Sequence, residues 1–459
     1  MTLKTLVTRW LLSAAMLISA LSAQAAVNIQ HWQTNSGAEV YFVENHDLPI
    51  VDLSVNFAAG SARDTAEKSG LAGITRYMMT LGAAGMSDEV IANKLADIGA
   101  VLGGEFDGDR AALKLRTLSS EREQKQALDV FGKILQKPDF PASVLAREKA
   151  RIISGLEESA TQPEGMVNKA FMTALYGSHP YSLDESGEIA TVAKLSVADL
   201  QAFYQQYYRA NGAVIAMMGD LSRAQAEAIA ESMASGLPKG PANPAIAQVT
   251  YPNAPVTQRI AHPASQSHIL LGYPGIKRGD PDLFPLYLGN YVLGGGGFVS
   301  RLTEEVREKR GLVYSVYSYF MPMAEVGTFQ IGFVYSYFMP MAEVGTFQIG
   351  LQTKKEQADE ALKIVRATLA EFLAKGVTDA ELKAAKANVI GGFPMRIDSN
   401  SKILDYLAVI GFYKLPLNYL DEYNSKVAAV TAAQIKDAFN RRLKPENFVT
   451  VIVGAPNTQ

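Results

Sequence analysis

Residues 289–319 read GNYVLGGGGFVSRLTEEVREKRGLVYSVYSY, and the order of residue types in this stretch decides how the rest of the chain is read. Gly294, Gly295, Gly296 and Gly297 stand together, and glycines in a row leave the backbone with little steric constraint. A charged segment follows in which Leu302 and Val306 recur at helical spacing, and Gly311 stands where a left-handed residue ends a helix. The aromatic and β-branched run 313–320 then predicts a strand. Loop, amphipathic helix, glycine cap and strand therefore succeed one another. Arg307 near the end of the helix and Tyr314 at the start of the strand are seven residues apart across the Gly311 turn, so their side chains are able to converge on one cleft. Spacing alone favours a plainer reading, an exposed helix arginine and a half-buried strand tyrosine.

The glycine run is not a phosphate loop. Phe298-Val299-Ser300-Arg301 follows it in place of Gly-Lys-Ser/Thr, so the lysine and hydroxyl that a nucleotide needs are missing. At the N-terminus, Lys4 and Arg9 precede an apolar run at 10–21 and the sequence Ala23-Gln24-Ala25. That pattern predicts a cleavable signal peptide over residues 1–25 and a periplasmic protein, because the run is too short to span a bilayer as an anchor. Removing Lys4 and Arg9 from 43 basic residues leaves 41 against 46 acidic ones, a formal charge of −5. Such a balance gives no electrostatic footprint for nucleic acid. The chain has no cysteine, which excludes disulfides, a thiolate nucleophile and thiolate metal ligands.

The chain also echoes itself. Residues 200–219 (LQAFYQQYYRANGAVIAMMG) parallel residues 435–454 (IKDAFNRRLKPENFVTVIVG) as amphipathic helix, polar turn and apolar strand ending in glycine. Residues 50–64 parallel residues 268–280 as a strand followed by a small-residue turn. The expectation is an α+β fold of two homologous halves, each an antiparallel sheet with helices on one face. Residues 26–235 form the first half and 256–459 the second. The Pro-, Gly- and Ala-rich stretch 236–255 links them. Within the second half, residues 316–332 recur unchanged as 334–350. A single perfect copy pair is a duplication within 316–350 and not a solenoid, and it leaves the strand register after Tyr314 open.

The segment 267–318 (SHILLGYPGIKRGDPDLF…LGGGGFVSRLTEEVREKRGLVYSVYS) resembles the C-terminal half of the insulinase/pitrilysin family of zinc metallopeptidases, and the resemblance extends more weakly over nearly the whole mature chain. It implies a peptide chamber enclosed by the two halves. It further implies that Arg307 and Tyr314 hold the backbone of a substrate in the peptidase site, and that Gly294–Gly297 form a wall of the chamber. The edge strand that pairs with an extended substrate falls on Val101, Leu102, Gly103 and Gly104. By sequence alone this stretch is equally an ordinary hairpin with a glycine bulge.

The family's zinc motif, His-x-x-Glu-His, falls on Gly70-Leu71-Ala72-Gly73-Ile74-Thr75-Arg76-Tyr77-Met78. Gly73 stands in place of the first histidine, Arg76 in place of the general base and Tyr77 in place of the second histidine. The third ligand, a glutamate, falls on Gly155 when the pattern is laid from Glu148. Two imidazoles and a carboxylate hold the metal in such a site, and none of the three is present. The histidines at 31, 46, 179, 262 and 268 form no pair at ligand spacing. The chain is therefore expected to bind no cofactor and to hydrolyse no peptide alone. It resembles the zinc-motif-lacking subunit of bacterial two-chain peptidases and of mitochondrial processing peptidase-like proteins, and its expected partner is a homologous subunit that holds the zinc, together with peptide substrates. The alternative is a peptide-binding or scaffold protein without a hydrolytic role.

Overall fold

The computed structural model describes residues 27–320, 322–323 and 347–454. The expected leader and most of the duplicated segment lie outside the described residues. The strands are β1 (Gln30–Gln33), β2 (Glu39–Glu44), β3 (Ile50–Phe57), the two-residue pair β4 (Gly82–Ala83) and β5 (Met86–Ser87), β6 (Val101–Gly103), β7 (Ala111–Leu118), β8 (Val214–Gly219), β9 (Val256–Ile260), β10 (Gln266–Tyr273), β11 (Val313–Phe320), β12 (Phe347–Lys354) and β13 (Val449–Val453). They build one sheet in the order β1-β2-β8-β3-β7-β6 and another in the order β9-β13-β10-β12-β11.

From β2 and β9 onward the two orders correspond strand for strand. Each sheet has one parallel pair, β2 with β8 and β9 with β13, among otherwise antiparallel neighbours. The echoed segments occupy equivalent places. In each, a helix with a capping box, Val197–Tyr207 behind Ser196 and Ala432–Arg442 behind Thr431, leads to an interior strand. In both boxes a hydroxyl accepts from a backbone N–H three residues on, which satisfies donors that a helix start otherwise leaves bare.

The apolar runs of β8 and β13 follow from what covers them. Ile215 and Met217 point into a core shared with Ile74 and Met78 of the helix Leu71–Met78 and Phe131 and Ile134 of the helix Glu121–Gln136. Val214, Ala216 and Met218 point the other way, into a core shared with Leu407 and Ile410 of the helix Asn400–Phe412. That helix comes from the second half and packs across β8, β3 and β2. Reciprocally, the helix Pro163–Tyr176 of the first half packs on β13 and β10, where Val167, Phe171 and Leu175 meet Leu270, Val449 and Val451. Each sheet thus has its own helices on one face, as expected, and on the other a helix lent by its sister. A strand buried on both faces carries apolar residues without alternation.

The register after Tyr314 is defined. Val316 lies opposite Leu351 and Phe320 opposite Phe347, with a register shift between Val313 and Val316. β11 runs from Val313 into the start of the first copy, and β12 runs from the end of the second copy on to Lys354. The paired strands therefore include the outer ends of the repeated segment. Residues 237–255 contain neither helix nor strand.

The seam between the halves is close. A Cβ on Gly411 would come within 2.6 Å of both the Tyr41 ring and Val214, so only a glycine lets the exchanged helix approach β2 and β8. Overpacking costs typically about 1–3 kcal/mol. Gly411→Val is expected to lower stability by at least that amount in urea denaturation; an unchanged midpoint would show that the seam can yield.

Candidate functional site

The helix Leu71–Met78 is the element that would carry a metal motif, and it is fastened at its start by Asp64. Backbone N–H groups of Gly70 and Ala72 donate to the two carboxylate oxygens, each at 2.8 Å. Burial pushes the Asp64 carboxyl up to about 7 despite those two hydrogen bonds. The folded state therefore holds this proton more tightly than the unfolded chain, whose carboxyl titrates near its ordinary value of 3.8. The associated stability is present below that value and lost as pH rises through about 7. Sequence reading missed Asp64; an acidic residue shortly before a helix start was the available signal.

The three motif positions hold no metal ligand. Gly73 offers no side chain, and a Cβ there would press on the Phe106 ring and the Glu185 carbonyl. Arg76 Nε donates to the Ala112 carbonyl of β7 at 3.2 Å, beside Gly104, where a Cβ would run into the guanidinium. The Tyr77 ring lies under Arg151, 5.4 Å from the guanidinium carbon to the ring centroid. Farther along, Gly155 opens onto space. The nearby Glu148 is only 4 % exposed and accepts from Arg147 Nε at 2.9 Å and Arg151 Nε at 2.8 Å. Burial opposes its ionisation, but the two arginines outweigh that and hold the carboxyl below its ordinary value. Among the described residues no group of three histidine, aspartate or glutamate side chains could hold a metal ion. These residues do not fit zinc: the donor set is absent and a cation occupies the place of the base.

Around the motif helix lies a charge network that the sequence did not reveal. Arg110, 2 % exposed, donates to Asp107 and Glu105 at 2.9 Å each. Lys114 bridges Glu105 to Asp405 of the exchanged helix, and Tyr413 Oη donates to Asp109 at 3.0 Å. These bonds tie β7 and its turn to the other half. Glu185 is exposed to solvent yet hemmed in by protein. Desolvation, with Asp107, Asp184 and Asp109 adding to it, pushes its carboxyl up to about 8.

The strand β6 pairs only with β7 among the described residues and so forms a sheet edge. Val101 is exposed, Leu102 half-buried, Gly103 faces open space and Gly104 takes φ +156. Between β6 and the helix Asp88–Ala96 runs an open groove of about 770 Å³ with Leu81, Ile91, Leu95 and Leu102 on its floor and Asp88 and Arg147 on its rim.

Arg307 and Tyr314 do come together. Arg301 grips Glu381 with two donors at 2.7 Å, holding that carboxyl at about 2 and anchoring the start of the helical turns. Thr303–Glu308 then winds with the wider π spacing, and Gly311 at φ +61 turns the chain into β11. The Arg307 guanidinium carbon sits 4.8 Å from the Phe298 ring centroid and 5.7 Å from that of Tyr314, distances of cation–π attraction. Both rings are 74 % exposed. The register shift in β11 falls between Val313 and Val316, across Tyr314 and Ser315, and irregularities of this kind re-aim side chains. The glycine run is less free than its composition suggests. Gly294 is buried, its missing Cβ making room for Ser318, whose Oγ donates to Asn290 Oδ1 at 2.7 Å. Gly295 and Gly296 abut Asn290 and Tyr291, and only Gly297 faces open space. Phe298, beside the glycines, was not singled out by sequence.

Comparison with known proteins agrees with this architecture. Residues 39–185 match the family model for insulinase, peptidase family M16, and residues 194–389 match that of the peptidase M16 inactive domain. An uncharacterized zinc protease of Bacillus subtilis, YmxG, is 24 % identical over 429 residues, covering 93 % of this chain and 98 % of that protein. A non-peptidase homolog of the same name from Helicobacter pylori is 23 % identical over 444 residues, covering 95 % and 97 %. The crystal structure of a peptidase M16 inactive domain from Pseudomonas fluorescens superposes with a TM-score of 0.86 at 39 % identity, covering 94 % of this chain and 99 % of that one. The periplasmic protease PqqL of Escherichia coli shares the fold, with a TM-score of 0.76 at 15 % identity over 93 % of this chain and 45 % of its own. No helix among the described residues is long and apolar enough to cross a membrane.

The Asp64 cap carries a pH signature. Asp64→Asn is expected to flatten the decline of the urea midpoint between pH 3.8 and about 7, at a constant cost from the lost acceptor. A decline as steep as in the unaltered chain would place its source elsewhere.

Proposed function

From a chain that belongs to the insulinase family, peptidase family M16, and carries that family's inactive domain, we propose a non-catalytic, substrate-binding subunit of a periplasmic insulinase-like zinc peptidase. A homologous partner subunit holds the zinc. The observation that carries this reading is the pairing of a lost site with a kept one. The motif helix presents Gly73, Arg76 and Tyr77, whereas the half-buried Arg307 lies beside the exposed Tyr314 ring.

Arg307 contributes a planar fork of donors and Tyr314 a hydroxyl, both able to bind a substrate carbonyl and to stabilise negative charge developing on its oxygen. The exposure of Tyr314 suits a site completed by a second chain. The two halves of this chain pack on each other through the exchanged helices, so the chamber expected between them would form instead between the subunits, with Gly295, Gly296 and Gly297 at its wall. At the edge of the first sheet, β6 offers unpaired N–H and C=O groups to an extended peptide, and the adjoining apolar groove receives alternate side chains. The leader-like residues 1–25 support export to the periplasm. A scaffold or peptide-binding protein without a hydrolytic role is the second reading, and the name of the Helicobacter relative, a non-peptidase homolog, favours it.

The decisive experiment compares peptidase activity of the mature chain, its zinc-motif partner and their mixture on unstructured peptides, with zinc assayed in each. Activity confined to the mixture, with zinc in the partner, supports the subunit reading; a partner fully active alone supports the second. In the mixture, Arg307→Ala or Tyr314→Phe is expected to lower turnover by roughly two to three orders of magnitude without separating the subunits on gel filtration. Unchanged turnover would remove both residues from the site.

A further inference from the structure

The place that the resemblance gives to the general base beside the zinc is held by a guanidinium whose outer nitrogens have no partner among the described residues. Arg76 uses Nε on the Ala112 carbonyl. Its two terminal nitrogens have no hydrogen-bond or ion-pair partner among the described residues, and the side chain is half-buried, open on one side. Glu105 lies within electrostatic reach, but its carboxylate is already taken by Arg110 and Lys114. A second group close by is also unsatisfied. The Tyr208 hydroxyl is fully buried, has no hydrogen-bond partner among the described residues, and lies within the electrostatic field of Arg76. A half-buried cation beside an orphaned donor is an arrangement that an oxyanion completes, since unmade hydrogen bonds of this kind cost free energy.

The position of the guanidinium names the ligand's class. It rests against Gly104 at the end of the edge strand β6, where the outer side of Gly103 is open. An extended peptide added along β6 would run past this point. We propose that Arg76 forms a carboxylate-binding subsite at the end of the β6 edge, taking the C-terminal carboxylate or an acidic side chain of a peptide laid along that strand. The inference rests on the peptide-binding reading given above and adds the chemistry of what is bound. A metal centre polarises a substrate carbonyl; a guanidinium binds a carboxylate and holds it. The substitution at this position therefore changes a site of chemistry into a site of capture.

The test is binding of short unstructured peptides to the mature full-length protein by fluorescence anisotropy. One probe ends in a free carboxylate, the second is its C-terminal amide with one internal glutamate, and the third is the amide with glutamine in that place. A charge-assisted hydrogen-bonded pair is worth roughly ten-fold or more in affinity. The carboxylate peptides should bind tighter than the glutamine amide by that factor. The first probe winning identifies the C-terminus as the ligand, and the second an acidic side chain. Arg76→Gln should bring all three affinities together, and Arg76→Lys should keep part of the preference. Three equal affinities for the unaltered protein overturn the subsite and leave the peptide-binding reading standing. Binding of none of the three overturns both. A preference that survives Arg76→Gln, in a protein whose thermal melt is unchanged, also overturns the assignment. Were that variant not to fold, the comparison of the three peptides on the unaltered protein and on Arg76→Lys still decides.

Discussion

Each of the two sheets has two apolar faces, and each half of the chain supplies helices for only one of them. A sheet face left bare would cost roughly 25 cal/mol for every Å² of apolar surface in contact with water. The chain meets this by exchange. The helix Pro163–Tyr176 leaves the first half to cover β13 and β10, and the helix Asn400–Phe412 returns to cover β8, β3 and β2. Because the two helices occupy equivalent places in the strand order, the exchange is reciprocal and locks the halves into one body. Gly411 permits the approach, and Lys114–Asp405 and Tyr413–Asp109 add polar ties at its rim.

Once both faces are covered, the edges are what remain. In the described structure β6 and β11 each have a single neighbour, and the functional candidates gather at these edges. Gly103 and Gly104 lie on or beside one, Tyr314 on the other. The register shift around the exposed Tyr314 and the left-handed Gly311 before it are local features, but their effect depends on the position of β11 at the border of its sheet.

The motif helix shows how a metal site is lost without loss of structure. Its start is held by Asp64, its middle by packing of Ile74 and Met78, and its outer face by Arg76 on the hairpin and Tyr77 beneath Arg151. The ligand positions Gly73, Tyr77 and Gly155 now carry two glycines and a ring, and the base position carries a cation. The surrounding acids are accordingly neutralised in different ways: Glu105 by Arg110 and Lys114, Glu148 by Arg147 and Arg151, and Glu185 by retaining its proton. Buried or enclosed charge persists only when it is paired or discharged.

Much of this was legible from residue order. The internal echo announced two like halves, because a capped amphipathic helix followed by an apolar strand leaves a pattern of period and type that survives divergence. The absence of histidine at 73 and 77 ruled out a zinc motif by chemistry alone, and the seven-residue step across Gly311 was enough to suggest that Arg307 and Tyr314 meet. What residue order did not reveal lies in contacts between distant segments. The doubly covered sheets, the buried network around Arg110, the packing reason for Gly294 and the raised carboxyls of Asp64 and Glu185 each depend on neighbours far away in the chain. Local sequence determines which conformation a segment prefers; burial, and with it the strength of every charge and hydrogen bond, is set only when those segments are brought together.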